Sequence, residues 1–200
     1  MSDDILFMLA LNGIRRFLMR VITGIARGKK LITLDGLDVR PTTEMVKEAI
    51  FSSIHFDLPG ASVLDLFSGS GQLGIEAISR GAKHCVFVDK SKSSIDIIKK
   101  NIEACGFNPQ SMVLNMDSME YLSVAKTGID IALLDPPYRE GLITKALPLL
   151  DRIMSDNSVV VCEHENELSL DESYGRLKKT KTKRYGKISV SYFEINSEDD

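Results

Sequence analysis

The sequence predicts an α/β fold with a mostly parallel, seven-stranded sheet that ends in an antiparallel hairpin. Three observations support this fold. From residue 62 onward, short β-branched or apolar runs alternate with helical patterns, which is typical of parallel strands covered by helices. A glycine-rich segment follows the first run and opens a helical pattern, as the ligand-binding loops of such sheets do. After the fifth run the pattern changes to alternation with period two, which indicates antiparallel strands.

The individual elements follow from these patterns. Residues 92–104 have the helical period, with Ile95, Ile98 and Ile102 on one face, and Gly106 is expected to end that helix. Tyr185-Gly186 is expected to form the tight turn of the terminal hairpin. We predict parallel strands at residues 62–67, 84–89, 111–115, 129–134 and 158–162, and hairpin strands at residues 177–184 and 187–195.

A small N-terminal β-hairpin and a helix are predicted ahead of the sheet. Residues 20–34 have the pattern of a hairpin, and a helix is expected over residues 43–53. Thr42 would be its N-cap, because a threonine hydroxyl can accept a hydrogen bond from the first helical N–H groups. We divide the chain into an extension of unassigned role (1–18), the hairpin and helix on the substrate side (19–56), a catalytic domain (57–197) and an acidic tail (198–200).

Composition limits the class of protein. A chain of 200 residues with 44% hydrophobic residues can form one well-buried domain with a small appendage. A net charge of -3 excludes binding of polyanions through overall positive charge, so any nucleic-acid contact must be local. Residues 5–11 are apolar but too short to span a bilayer, and the three cysteines are far apart without metal-ligand spacing. We therefore expect a cytoplasmic protein with no membrane segment and no bound metal.

The segment from Asp65 to Gly74 predicts a cofactor loop. It follows the first strand directly, and its glycines allow the backbone to turn sharply and to approach a ligand. The spacing of Gly69, Gly71 and Gly74 also satisfies the dinucleotide fingerprint, with Asp89 near the position of a ribose-binding acid. Two cofactors therefore compete, a nicotinamide dinucleotide and S-adenosylmethionine.

The carboxylate of Asp65 favours S-adenosylmethionine. It stands at the end of the strand, where it has little use beside a pyrophosphate but could face the sulfonium and ammonium groups of S-adenosylmethionine. We expect Asp89 to bind the ribose hydroxyls and Asp117 to accept from the adenine amino group, although Asp117 could equally cap the following helix. The predicted cofactor-binding residues are Asp65, Phe67, Ser68, Gly69, Ser70, Gly71, Asp89, Lys90, Asp117 and Ser118.

The tetrapeptide Asp135-Pro136-Pro137-Tyr138 is predicted to be the reaction centre. It ends the fourth strand, at the carboxyl edge where open α/β sheets bind their ligands. The exocyclic amino group of a base is a poor nucleophile. Acceptors on both of its hydrogens, the Asp135 carboxylate and the Pro136 carbonyl, would favour a pyramidal nitrogen aimed at a methyl group. Tyr138 would stack on a base taken out of its helix. The alternative is a proline-rich turn that only leaves a strand.

The order of the two motifs predicts the reaction class. A glycine loop after the first strand, the tetrapeptide after the fourth and a terminal hairpin are typical of a class I S-adenosylmethionine-dependent methyltransferase, which is Rossmann-like. A dinucleotide dehydrogenase would continue with further parallel units. An adenine-N6 methyltransferase acting on DNA or RNA, a nicotinamide-dependent oxidoreductase and an RNA-binding module without activity remain as alternatives.

The sequence resembles the RsmD family of bacterial enzymes over residues 19–195. The most specific segment is Arg-Pro-Thr-Thr-Glu-Met-Val-Lys-Glu-Ala-Ile-Phe at residues 40–51, and residues 24–31, residues 65–71 and the tetrapeptide also match. The resemblance implies methylation of the N2 amino group of one guanine in 16S ribosomal RNA, and we expect the RNA to be in a small ribosomal subunit or an assembly intermediate. We also expect the protein to be a monomer. The chain departs from the family before Met19 and at Gln72, where members often carry a small residue.

Basic residues near both ends of the chain are candidates for phosphate contacts, which give affinity without reading sequence. The alternative for the N-terminal set is an ordinary solvated face. In the final hairpin, alternation places Lys179, Lys181 and Lys183 on one face of a strand, where they could contact RNA or protect the sheet edge from aggregation. The predicted RNA-binding residues are Arg20, Arg27, Lys29, Lys30, Arg40 and Thr42.

Overall fold

The computed structural model describes residues 19–33 and 41–196, and for residues 41–43 it describes the backbone alone. The predictions for residues 1–18, for Arg40 and for residues 197–200 therefore lie outside the described residues, as does the end of the predicted N-terminal hairpin at Leu34.

The N-terminal region contains the predicted hairpin and helix. Strand β1 (Met19–Arg20) pairs antiparallel with β2 (Lys30–Leu31), so each hairpin strand has two residues. Helix α1 (Pro41–Ser53) begins two residues earlier than predicted. Thr42 therefore lies inside α1 and the prediction that it is the N-cap was wrong. Proline favours the first helical position because its missing N–H would have no helical partner there.

A sheet of eight strands forms the centre of the described structure. The strands are β3 (Ser62–Asp65), β4 (His84–Asp89), β5 (Ser111–Asn115), β6 (Ile129–Leu134), β7 (Met154–Glu165), β8 (Ser173–Tyr174), β9 (Leu177–Tyr185) and β10 (Ile188–Ile195). Their spatial order is β5-β4-β3-β6-β7-β10-β9-β8. The first five strands of this order are parallel, and each later strand is antiparallel to its neighbours.

Helices connect the parallel strands. They are α2 (Gln72–Ser79), α3 (Lys92–Cys105), α4 (Ser118–Val124) and α5 (Leu142–Leu150), with a short 3-10 helix at Asn108–Gln110. Gly106 ends α3 in the left-handed conformation, with φ of 76°, as predicted. Within the described residues, no helix is both long enough and apolar enough to cross a membrane.

The structure corrects several predicted boundaries. Strand β3 ends at Asp65, two residues before the predicted end, because the chain turns there into the glycine loop. Strand β7 is longer than predicted in both directions and reaches Glu165. The two-residue strand β8 brings the described sheet to eight strands instead of seven. The tight turn of the last hairpin is Gly186-Lys187, because Tyr185 pairs with Ile188.

Helices cover both faces of the central part of the sheet. The front face carries Val63 and Leu133 and packs against α1, α2 and α3. The back face carries Leu64 and Leu134 and packs against α4 and α5. Successive strand residues point to opposite faces, so the middle of each strand that is covered on both sides contains a run of consecutive apolar residues, as parallel strands usually do.

A buried carboxylate on α2 binds the N-terminal segment and α1. Glu76 is fully buried and accepts hydrogen bonds from the amides of Ile22 (2.8 Å) and Thr23 (3.0 Å) and from Nε of Arg80 (2.8 Å). Nζ of Lys47, on α1, lies 3.5 Å from the same carboxylate. Burial lowers the pKa of Lys47, and the attraction of Glu76 opposes that effect. Glu76 therefore holds residues 22–23, α1 and α2 together.

A second buried side chain joins the N-terminal segment to the glycine loop. The amide of Asn101, on α3, accepts a hydrogen bond from the N–H of Ile32 (2.8 Å) and donates to the carbonyls of Ile32 (2.8 Å) and Ser70 (2.9 Å). A displacement of the N-terminal segment would therefore disturb the loop through Asn101.

Candidate active site

The predicted cofactor loop lies between β3 and α2, and two of its glycines are required by its geometry. Gly71 adopts a left-handed conformation, with φ of 78°, directly before the first residue of α2. Gly74 lies where α2 crosses β4, and a Cβ atom there would come within 2.3 Å of the Phe87 ring. The loop therefore turns tightly into a helix that packs directly on the sheet.

Asp89 holds the loop from the neighbouring strand. Its Oδ2 accepts the N–H of Gly69 (2.8 Å), and its Oδ1 accepts the N–H of Ser91 (2.8 Å). Because each carboxylate oxygen has a second lone pair, these bonds leave room for the predicted contact with ribose hydroxyls. That contact stays a prediction, as does a role for the neighbouring Lys90, which is exposed.

The predicted cofactor-binding serines form hydrogen bonds with backbone groups and with Asn101. The Ser68 hydroxyl donates to the Asp65 carbonyl (2.6 Å) and accepts the N–H of Val88 (2.9 Å). The Ser118 hydroxyl donates to the Leu66 carbonyl (2.8 Å), and the Ser70 carbonyl accepts from Asn101. These groups fix the path of the chain from β3 into the loop. Phe67, beside them, is half-buried and packs against the apolar cluster of the back face.

Asp117 is the N-cap of α4. Its Oδ1 accepts hydrogen bonds from the N–H groups of Met119 (2.8 Å) and Glu120 (3.3 Å). The capping interpretation is therefore confirmed. The side chain is exposed, and its contact with an adenine amino group stays a prediction.

Three acidic side chains meet at the carboxyl ends of three neighbouring strands on the front face. Asp65 ends β3, Asp135 follows β6, and Glu163 lies near the end of β7. Leu134 pairs with Cys162 in the parallel register, so Asp135 and Glu163 come next side by side. Asp65 and Glu163 are buried, and Asp135 is half-buried. We call these residues the carboxylate cluster.

The carboxylate cluster contains more negative charge than its surroundings compensate. Burial raises the pKa of Asp65 to about 7, although the Gly74 N–H (3.0 Å from its Oδ2) opposes the shift. Burial and then the charges of Glu163 and Asp65 raise the pKa of Asp135 well above its usual range, and burial also raises the pKa of Glu163. Across residues 19–33 and 41–196, no lysine or arginine forms an ion pair with any of the three.

The tetrapeptide is attached to β7 at two points. The Tyr138 hydroxyl donates to Oε1 of Glu163 (3.0 Å), and the Arg139 N–H donates to Oε1 of Glu165 (3.0 Å). Arg139 has a left-handed backbone with φ of 66°, a conformation that is uncommon for a non-glycine residue and often marks functional turns. Pro136 is buried, whereas Pro137 is exposed and Tyr138 keeps 42% of its surface exposed. The Tyr138 ring is therefore available to a planar ligand.

Glu163 was missed by the sequence analysis. The predicted strand stopped at Cys162, and the next residue was given no role. The sequence did contain one signal, because Glu163 follows an apolar strand run just as Asp65 and Asp135 do. Which strand lies beside β6 depends on the sheet order, and no local pattern shows that order.

Two of the predicted RNA-binding residues, Arg27 and Lys29, lie far from the tetrapeptide. Ile25 N–H donates to the carbonyl of Ser79, the last residue of α2. Lys29 lies near Cys105, at the end of α3, where its charge opposes the larger effect of burial, which raises the pKa of that thiol. Helices between parallel strands return to the amino edge of the sheet. Arg27 and Lys29 are therefore remote from the tetrapeptide at the carboxyl edge.

The other predicted RNA-binding residues are Arg20, Lys30, Arg40 and Thr42. Arg20 forms an exposed ion pair with Glu44 (3.3 Å), and Lys30 is exposed on β2. Arg40 and the side chain of Thr42 lie outside what the structure describes. RNA binding by all six residues stays a prediction.

Comparisons with known proteins give the family. A family model described as "Conserved hypothetical protein 95" matches residues 19–194. The chain is 38% identical over 181 residues to YlbH of Bacillus subtilis, covering 88% of this chain and 98% of that protein. It is 34% identical over 158 residues to ribosomal RNA small subunit methyltransferase D of Haemophilus influenzae, covering 76% and 81% of the two chains.

A solved structure supports the same assignment. The Escherichia coli protein yhhF, described as a methyltransferase, has a TM-score of 0.82 at 30% identity, over 90% of this chain and 99% of that chain. This similarity confirms the predicted methyltransferase fold. The chain belongs to the RsmD family, that of ribosomal RNA small subunit methyltransferase D.

Proposed function

We propose that this protein transfers a methyl group from S-adenosylmethionine to the exocyclic N2 amino group of a guanine in 16S ribosomal RNA of the small subunit. The carboxylate cluster is the observation that carries the proposal. Buried carboxylates without cations are unfavourable by several kcal/mol in general, and a cationic ligand would compensate them. The relatives named for small-subunit ribosomal RNA methylation support the choice of substrate.

The residues present fit S-adenosylmethionine. Asp65 and its neighbours offer negative charge to the sulfonium and ammonium groups, Asp89 offers lone pairs to the ribose hydroxyls, and Asp117 offers an acceptor to the adenine amino group. When bound, the cofactor supplies an electrophilic methyl group on a positively charged sulfur. A dinucleotide pyrophosphate fits less well, because it would bring further negative charge beside the buried Asp65.

Asp135 and the Pro136 carbonyl would orient the target amino group. As acceptors for its two hydrogens, they favour a nitrogen lone pair directed at the methyl carbon. Bound S-adenosylmethionine would supply the methyl group, with an N–C bond made as the C–S bond is broken and a neutral thioether as the leaving group, and the methylated nitrogen would have to release one proton. Asp135 and Glu163 lie side by side and burial raises the pKa of both carboxyl groups, so this pair is suited to accept that proton. Tyr138 would stack on the flipped base.

The test uses 16S ribosomal RNA from a strain that lacks the enzyme, with labelled S-adenosylmethionine. Asp135→Asn should lower kcat by roughly 100- to 1,000-fold. Binding of S-adenosylmethionine to this variant is measured separately. Glu163→Gln should move the rising limb of the pH–rate profile to lower pH, because it removes a negative charge that raises the pKa of Asp135. Glu167→Gln, an exposed site nearby, is the matched control.

Nucleoside analysis of the product separates the alternatives. Label on guanine N2 is expected. Label on adenine N6 would leave the chemistry intact but overturn the substrate. Binding of NAD without binding of S-adenosylmethionine would overturn the reaction class, and an Asp135→Asn variant with full activity would overturn the assigned reaction centre.

A further inference from the structure

We propose that Lys181 and Lys183 on β9 form a binding surface for the RNA backbone that continues the front face of the sheet outward from the carboxylate cluster. The inference rests on the proposed function, because it requires RNA as the substrate. We call these two residues the front lysines.

The register of the sheet places the front lysines beside the cluster. Glu163 pairs with Val190 on β10, and Val190 pairs with Lys183 on β9. Residues paired across strands share one face. Neighbouring strands are about 4.8 Å apart, so the Lys183 backbone lies roughly 10 Å from that of Glu163, at the same level along the strands.

A β-bulge decides which lysines face the cluster. Tyr192 pairs with Lys181 but the next residue, Phe193, pairs with Lys179, so Thr180 is the extra residue. The bulge turns Lys179 to the back face, where its Nζ donates to the Leu170 carbonyl (2.8 Å). The prediction that Lys179 shares a face with Lys181 and Lys183 was therefore wrong, because strict alternation does not hold across a bulge.

The front lysines have positive charge that carboxylates do not neutralise. Nζ of Lys181 lies 4.4 Å from the centre of the Tyr192 ring, and Nζ of Lys183 contacts the Ser53 hydroxyl at 3.5 Å. Neither forms an ion pair with an acidic residue in the described chain. Lys179, in contrast, pairs with Glu172 (2.6 Å). The charges of the front lysines therefore remain without a carboxylate on the face that also carries the site, and Arg184, which also has no ion pair in the described chain, lies on the back face.

The geometry fits a nucleotide whose base enters the cluster. A flipped base must reach Asp135 and Tyr138, while its charged backbone stays outside the buried region. A cationic surface two strands away from Glu163 on the same face would bind the adjoining phosphates. Such contacts fix the position of the RNA without reading its sequence.

Two other interpretations of β9 lead to different outcomes. Strand β8 pairs only with residues 177–178 of β9, so lysines further along could serve to block edge-to-edge aggregation. Alternatively the RNA could bind the back face, where Lys179 and Arg184 border a polar hollow with His164 and Ser191. In that case Arg184 would contact phosphate and Lys183 would not.

Lys183 and Arg184 provide a matched pair for the test. Both are exposed, they are adjacent in sequence, and they point to opposite faces. We would compare Lys183→Gln with Arg184→Gln, each of which removes one positive charge, by measuring binding to a 16S ribosomal RNA fragment at several salt concentrations. Circular dichroism of each variant checks the fold.

Lys183→Gln should weaken binding roughly fivefold to tenfold at moderate salt and reduce the slope of log K against log salt by about one. Arg184→Gln should change neither quantity appreciably. Equal binding by both variants and the wild type would support edge protection and overturn the inference, as would a larger effect of Arg184→Gln.

If the wild type methylates this RNA while Lys183→Gln binds normally, only the inference fails. If the wild type methylates no RNA, the proposed function fails and the inference fails with it.

Discussion

The single carboxylate of Glu76 and the carboxylate cluster differ in how their negative charge is compensated. Glu76 receives two backbone N–H groups and Nε of Arg80, with Lys47 nearby. The carboxylate cluster of Asp65, Asp135 and Glu163 receives the Gly74 N–H and the Tyr138 hydroxyl but no cation among the described residues. The chain itself supplies the partners of Glu76, which therefore acts in folding. The charge of the cluster lacks such partners, which is what the proposed site for a cationic ligand requires.

The largest effect on stability is expected at Glu76. Glu76→Gln should lower the free energy of unfolding by about 3–5 kcal/mol, because it leaves Lys47 and Arg80 buried without their carboxylate. Chemical denaturation measures the change. A loss below about 1 kcal/mol would contradict the proposed difference between Glu76 and the carboxylate cluster. It would show that the partners of Glu76 contribute little to the stability of the protein.

Replacement of Asp65 should change the stability in the opposite direction to replacement of Glu76. Its pKa of about 7 in the folded protein exceeds the usual value of 3.8, so the folded state binds more protons than the unfolded state between these pH values. The stability of the wild type should therefore fall as pH rises from about 4 to 7.

Asp65→Asn removes this effect. The variant should gain roughly 2–4 kcal/mol over the wild type at pH 8 and little at pH 4, while S-adenosylmethionine binding falls. An asparagine oxygen can still accept the Gly74 N–H. Denaturation at both pH values measures the difference, and Asp57→Asn, at an exposed aspartate, is the control. A variant that is equally stable relative to wild type at both pH values would contradict the assignment of Asp65 as an uncompensated carboxylate.

The smallest effect is expected at Asp117, where one side chain serves both folding and binding. Asp117→Ala should cost about 1 kcal/mol through loss of the cap and should also weaken S-adenosylmethionine binding. Asp117→Asn keeps a capping oxygen but presents an amide donor to the adenine amino group. It should therefore retain stability while affinity, measured by calorimetry, falls severalfold. Unchanged affinity in both variants would restrict Asp117 to capping.

Features encoded in a few consecutive residues were predicted correctly from the sequence. The central strands, α3 with its end at Gly106, and the glycine loop depend on local periodicity and on backbone conformations that glycine permits. The errors arose where a bulge interrupts strict alternation and where a helix begins before its periodic pattern does. The bulge at Thr180 reverses the direction of Lys179, and α1 begins at Pro41 because proline is accepted at the first position of a helix.

The sequence alone determined the fold class, the glycine loop and the position of the tetrapeptide, because short-range patterns of polarity and glycine specify them. The tertiary structure decided which side chains share the site. Glu163 joins Asp135 only because β7 lies beside β6, and Lys183 faces the cluster only because β10 lies between β7 and β9. Burial and neighbouring charge, which shift the pKa values of the cluster, are properties of that arrangement and not of any segment of the chain.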